Sequence, residues 1–258
     1  MVVVTYRKKG IRMKHVWFSG VDEIDRCKKK ADLLFVHGSV YIDTPHSIKL
    51  GAQHSLIKTL DTDETVVYQT FGKHLRKFIQ RSASEGAMVR ILFKDQITDQ
   101  VLDVCLRLYN KMKEDKNLPG VFNTALAKQY AISGNLVVSQ ACIGDTVVGF
   151  KASIVDEHNL RGWVSAFAFR EEDLDAQMLS RAHQLLEWET MRWCCQKGIT
   201  AYDFGGIDSF DNPNGIDNFK MTFAKEGQRV TYDNFLVGAS PIGKMAILGC
   251  KLLKKLHK

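Results

Sequence analysis

The sequence predicts a mixed α/β (α+β) protein whose pairable strands run largely antiparallel, with a small α/β lobe ahead of the main domain. Three observations carry this. Apolar segments 135–142, 146–155 and 161–169 follow one another across short connections. Such connections leave no room for a crossover, so the segments form an antiparallel meander. Lys73 to Glu85 and Leu174 to Lys197 carry apolar residues at helical rather than alternating spacing. The second of these ends at Gly198 and feeds a short apolar strand, Thr200 to Phe204.

Taken in order, residues 1–70 read as the small lobe. Val2 to Tyr6 and His15 to Phe18 are strands split by a basic Lys8-Lys9-Gly10 turn. Val21 to Ala31 is a short polar helix with Ile24 and Cys27 inward. Leu33 to Val36 and Ser39 to Ile42 are β-like around His37-Gly38. From Ser47 to Asp63 the chain is punctuated by Gly, Asp and Thr.

Residues 71–240 read as the main domain. Its first helix buries Leu75, Phe78, Ile79 and Ala83, and sets Lys73, Lys77 and Arg81 on one face with Arg76 beside them. Like charges at this spacing weaken an isolated helix, which suggests an anion opposite them. Ala87 to Phe93 is a strand, Asp99 to Lys113 a helix ended by Asn117-Leu-Pro-Gly120, and Thr124 to Ser133 a short helix. The meander, the long helix and the Thr200 strand follow. Gln228 to Val237 is the last strand. Residues 241–258 form a basic C-terminal helix begun by Ser240-Pro241.

The 258 residues carry a formal charge of +7 and are 45% hydrophobic, values that fit a globular protein with anionic partners. No apolar run reaches the roughly 18–20 residues a membrane span needs. Met1-Val-Val-Val is too short for a signal peptide, so a cytoplasmic location is expected. The six cysteines lack metal spacing and are expected as free thiols; no metal is expected. Gly238-Ala-Ser-Pro-Ile-Gly243-Lys244 imitates a phosphate loop but puts Met245 where magnesium needs a hydroxyl.

The most informative stretch is Ala201-Tyr202-Asp203-Phe204-Gly205-Gly206-Ile207, continued by Asn214-Gly215-Ile216-Asp217-Asn218-Phe219-Lys220-Met221-Thr222-Phe223. An acid inside a buried strand, a bare Gly205-Gly206 backbone and a Phe219-Lys220 step converge on one place. These residues resemble the C-terminal signature of the FemABX-like branch of the GNAT N-acyltransferases. Phe71 to Gly86 is similar to that family's basic helix, and Leu185 to Trp193 to its long central helix; the match spans roughly Phe71 to Val237.

The resemblance implies a GNAT-type twisted sheet flanked by helices, in which two neighbouring strands splay to admit a thioester arm. It implies acyl-CoA as co-substrate, with no tightly bound cofactor. Lys220 matches a family lysine that meets phosphate or developing negative charge. The family's glycine-rich coenzyme A loop would fall at Phe169 to Ala182, where no glycine occurs. Ser180 and Arg181 are the cofactor-side candidates there.

Acyl transfer to an amine needs a base and oxyanion stabilisation. Candidate bases are Asp203, Glu187 and His183, the last two one helical turn apart. Arg76, Lys77, Arg81 and Lys220 suit a pyrophosphate. The expected function is therefore transfer from acyl-CoA to a nucleotide-linked amino sugar for surface polysaccharide, by a chain that could self-associate. Two rivals stand beside it. One is an aminoacyl-tRNA-dependent transferase on a cell-wall precursor, although no RNA-reading motif is visible. The other is a non-catalytic adaptor binding nucleic acid or an anionic membrane through the basic C-terminal helix.

Overall fold

The computed structural model describes residues 1–39, 44–117, 120–168 and 175–256. The chain divides into two compact units. One is drawn from residues 1–55, 206–209 and 229–258, the other from 56–205 and 210–228. Ten strands, mostly antiparallel, and eight α-helices occur among the described residues.

In the first unit, β1 (Val2–Lys8) pairs antiparallel with β2 (Ile11–Trp17). β3 (Leu33–Ser39) runs parallel to β2 and antiparallel to β10 (Gln228–Gly238), and β4 (Ser47–Thr59) follows β10 in the row. Successive strand residues point to opposite faces. On one face Val16, Leu34, Val36, Phe235 and Val237 meet Ile24 and Cys27 of α1 (Val21–Lys28). On the other, Met13, Leu33 and Ile48 meet Ile247 of α8 (Pro241–Leu256).

The phosphate-loop imitation at the start of α8 is a packing device. Asp32 is held by Arg12, whose backbone N–H donates to it at 2.9 Å, and accepts from Ser240 Oγ at 2.7 Å. Ser240 Oγ in turn accepts the N–H of Gly243 at 3.2 Å, capping α8. Any side chain at Gly243 would collide with the Asp32 carbonyl.

In the second unit, α2 (Glu64–Gln69) and α3 (Lys73–Ser84) lead into β5 (Ala87–Phe93). Then come α4 (Asp99–Lys116), α5 (Thr124–Ile132), and the meander β6 (Leu136–Ile143), β7 (Thr146–Val155), β8 (Asn159–Phe167). α6 (Ala176–Gln196), β9 (Ala201–Ile207) and α7 (Gly215–Phe223) complete it. The strand order is β9-β8-β7-β6-β5, antiparallel at every junction except the parallel pair β8–β9. α6 packs along α3, β5 and β6.

One expectation needs correction, and two stretches to which the sequence assigned no element hold one. The Ser47 to Asp63 stretch holds the 13-residue strand β4, and α2 follows it. The burial of β4 does not alternate along its length, so its period-2 signal is lost. The strand at Thr200 does not stop at Phe204 but runs through both glycines to Ile207. The Phe219-Lys220 step lies on a helix, capped by Asn214 and Asp217 in a reciprocal box. The expected strand residues 40–42, the turn residues 118–119 and the proposed coenzyme A loop at 169–174 lie outside the described residues. Five of the six cysteines are buried, and all six are free.

Candidate active site

β8 and β9 pair at Asn159↔Ala201, Leu160↔Tyr202 and Arg161↔Asp203. Beyond Arg161 the rest of β8 continues its pairing with β7 to Phe167. Glycines mark the point of parting. Gly205 has φ +75, and a Cβ there would lie 2.5 Å from the Gly162 carbonyl oxygen. Gly205→Ala therefore combines left-handed strain with a backbone clash. Its expected cost is roughly 1–3 kcal/mol, read as a lower chemical-denaturation midpoint. A cost within 0.5 kcal/mol, of the order of an inconsequential surface change, would mean the strands can separate there freely.

At the far end of β8 lies a cavity of about 270 Å³. Ser165, Ala166 and Phe167 form one wall, Ser180 and His183 of α6 another, and Gly215, Ile216 and Phe219 of α7 a third. Lys116 of α4 reaches its rim. The His183 ring is sandwiched between Phe167 and Phe219, each with its centroid 4.1 Å away. Its Nε2 stands 4.0 Å from Glu187 Oε1. Burial lowers the His183 pKa to about 4; Glu187 opposes that shift, while Lys151 and Lys220 add to it. The imidazole is thus neutral at pH 7, able to accept a proton beside a carboxylate that would stabilise the product cation.

Glu187 belongs to a buried network. Lys151 Nζ donates to both carboxylate oxygens, at 2.7 and 3.0 Å, and to Tyr202 OH at 2.8 Å. Tyr202 OH donates to Glu187 Oε2 at 2.6 Å. Burial raises the Glu187 carboxyl, but Lys151, a protonated His183 and the Tyr202 hydroxyl outweigh it, and the net shift is downward. Burial and the adjacent carboxylate push the Tyr202 phenol well upward, so it stays a donor. Sequence reasoning missed Lys151. It is the single cation of a strand buried at eight of ten positions, the same signal that singled out Asp203.

Asp203 is buried against Arg161, Nε to Oδ2 3.5 Å, and its Oδ1 accepts the Gly205 N–H at 2.9 Å. The parallel register sets this pair directly across β8–β9. Asp203 therefore stands in a buried ion pair at the parting of the strands, and neither residue of that pair lines the cavity. Lys220, on α7 next to Phe219, is half-buried. Burial first and then Lys151 lower its pKa to about 8, against Glu187, Asp217 and Asp203.

The structure brings together His183, Phe219 and Ser180 at the cavity, with Glu187 behind His183; Lys220 follows Phe219 on α7 without lining the cavity and acts on His183 electrostatically. Arg76, Lys77 and Arg81 lie on α3 and do not line it. Arg81 is bonded to Glu85 at 2.7 Å. Arg181, expected on the cofactor side, is buried and bound to the same Glu85 at 2.6 Å, joining α6 to the end of α3. Gly206 is exposed next to Gln53. The N-terminus of α6, where the family's pyrophosphate grip would fall, is capped by Asp175, which accepts from the N–H groups of Gln177 and Met178. A carboxylate there takes the donors that a phosphate would use.

The acetyltransferase (GNAT) domain family matches residues 70–221. No curated protein matches the chain. Among solved structures the chain is similar to FemX at 10% identity and TM-score 0.60, over 95% of this chain and 86% of that one. It is similar to the C-terminal DUF2156 domain of a candidate lysylphosphatidylglycerol synthetase from Agrobacterium fabrum at 12% identity and TM-score 0.55, covering 97% and 85%. L-PGS from Bacillus licheniformis gives 12% identity and TM-score 0.52, covering 95% and 84%. At such identities the likeness is one of fold.

Proposed function

Because the chain belongs to the GNAT acetyltransferase family and is an acyltransferase of that type, we propose that it transfers an acyl group from coenzyme A to the amine of a nucleotide-linked amino sugar, in the cytoplasm. The observation that carries acyl transfer is the neutral His183 in the cavity at the end of the parted strand β8, backed by a charged Glu187. The acceptor nitrogen attacks the thioester carbonyl and His183 takes its proton. The C–S bond breaks as the tetrahedral intermediate collapses. The Lys220 ammonium, which acts electrostatically on His183, stabilises the oxyanion. Arg76, Lys77 and Arg81 remain the proposed contacts for the acceptor's pyrophosphate, which a nucleotide-linked sugar would carry outside a cavity this small.

A second reading takes its donor from aminoacyl-tRNA and its acceptor from a cell-wall precursor. It is favoured by Asp175, which fills the helix start that a coenzyme A pyrophosphate would use. A thermal-shift screen separates the two. A ligand at about a hundred times its Kd adds roughly 2.7 kcal/mol. Stabilisation by acetyl-CoA and by a UDP- or dTDP-linked amino sugar supports the first reading. Stabilisation by tRNA or a UDP-muramyl peptide, with none from coenzyme A, replaces it with the second.

Lys220→Ala should lower kcat/KM by about 10²- to 10³-fold, the usual cost of losing an oxyanion donor, with the melting point kept. Because Lys220 loses its proton near pH 8, the wild-type rate should fall above that pH. Lys220→Arg, which stays charged, should remove that alkaline limb. Unchanged kcat/KM in Lys220→Ala takes the residue out of the site.

A further inference from the structure

α8 has two apolar faces, and only one of them is used within its unit. Gly243 and Ile247 are buried against the sheet. On the opposite side Ile242, Met245, Leu248, Leu252 and Leu253 are 45–65% exposed. At 100° per residue these five fall within an arc of about 140°, a continuous stripe along the outward side of the helix. Single exposed apolar residues are ordinary, but an aligned set marks a binding surface. The helix is also anchored for such a role, since Asp32, Ser240 and Gly243 fix its first turn to the sheet.

Charge selects the occupant. From Ala239 to Lys258 the sequence contains five lysines and no acidic residue. Lys244, exposed, and Lys251, whose Nζ donates to the Pro45 carbonyl at 2.9 Å, fall together along one margin of the apolar arc. A second copy docked antiparallel across a two-fold axis would set the same lysine margins against each other, which costs energy. An anionic lipid surface meets both features: apolar side chains enter the acyl boundary while lysines meet lipid phosphates. No described helix is long and apolar enough to cross a membrane, so α8 would lie in the interface plane.

We propose that the outward face of α8 docks the protein on anionic phospholipid membranes, with Ile242, Met245, Leu248, Leu252 and Leu253 inserted and Lys244 at the headgroups. This surface is independent of the catalytic reading above. The test uses the full chain and sedimentation with vesicles of phosphatidylcholine alone or with 30 mol% phosphatidylglycerol. The wild type should bind the anionic vesicles at least tenfold more tightly than the neutral ones. Met245→Glu combined with Leu252→Glu should weaken anionic binding at least tenfold, with an unchanged melting point because both side chains are exposed. Lys8→Glu, the same change in net charge away from α8, should leave binding within twofold. Three outcomes overturn the proposal: no preference for anionic vesicles, equal loss in Lys8→Glu and the double variant, or a concentration-dependent dimer that the double variant abolishes.

Discussion

Lys151→Met should lower stability by about 3–5 kcal/mol, because it leaves the Glu187 carboxylate buried without its cation. Both side chains are about 95% shielded from solvent, at 5% and 4% exposure. The attraction between them offsets a desolvation cost of several kcal/mol per ion only while both are present. Adding Glu187→Gln to Lys151→Met should recover much of the loss, since a neutral amide replaces the stranded charge and still accepts from Tyr202. Urea unfolding of the wild type, Lys151→Met and the double variant measures this. A loss below about 1 kcal/mol in the single variant, the value of an exposed pair, would mean that water reaches the network. The pair also has a catalytic consequence. By holding Glu187 charged, Lys151 preserves the anion that faces His183, so it positions the site without touching substrate.

His183→Gln should reduce kcat/KM by about 10²- to 10⁴-fold, the range for loss of a general base, measured with the donor and acceptor found in the ligand screen. A structural role alone would predict little change in turnover for a variant that still folds. A second readout separates the two. The folded imidazole has a pKa of about 4, against roughly 6.5 when unfolded. Between those values the unfolded chain binds more protons, so wild-type stability falls as pH drops from 6.5 towards 4 and is unaffected above. His183→Gln should lose that part of the acid sensitivity. Turnover at the wild-type rate would leave a water relay or the acceptor itself as the base.

Much of this architecture was legible before any coordinates. The meander, α3, α4, α6 and the strand after Gly198 follow from apolar period and short turns, which are local signals. β4 was not legible, because its burial does not alternate along its length. α7 was hidden by its glycine and asparagine start, which is a capping box rather than a loop. In the site, His183 and Glu187 were visible as an i, i+4 pair on one helix. Asp203 was correctly singled out as buried, but its partner was not visible: Arg161 meets it across a parallel pair 42 positions away in sequence. Arg181 is tied to Glu85, a carboxylate at the end of a different helix, which its own position on α6 does not announce. Side chains that meet across elements are set by packing, and a single sequence does not record it.

The cysteines carry a practical consequence. Burial pushes the thiols of Cys105 and Cys195 up to about 12 and 11 and raises Cys194 and Cys27 as well. Thiolates are the reactive species, so burial disfavours reaction at these four. Cys142 is shielded too, whereas Cys250 is exposed on α8. The native chain thus offers one addressable thiol, placed on the helix that carries the apolar stripe. A maleimide fluorophore there, with no engineered cysteine, would report the polarity around α8 directly, and an attached spin label would report its depth in a bilayer.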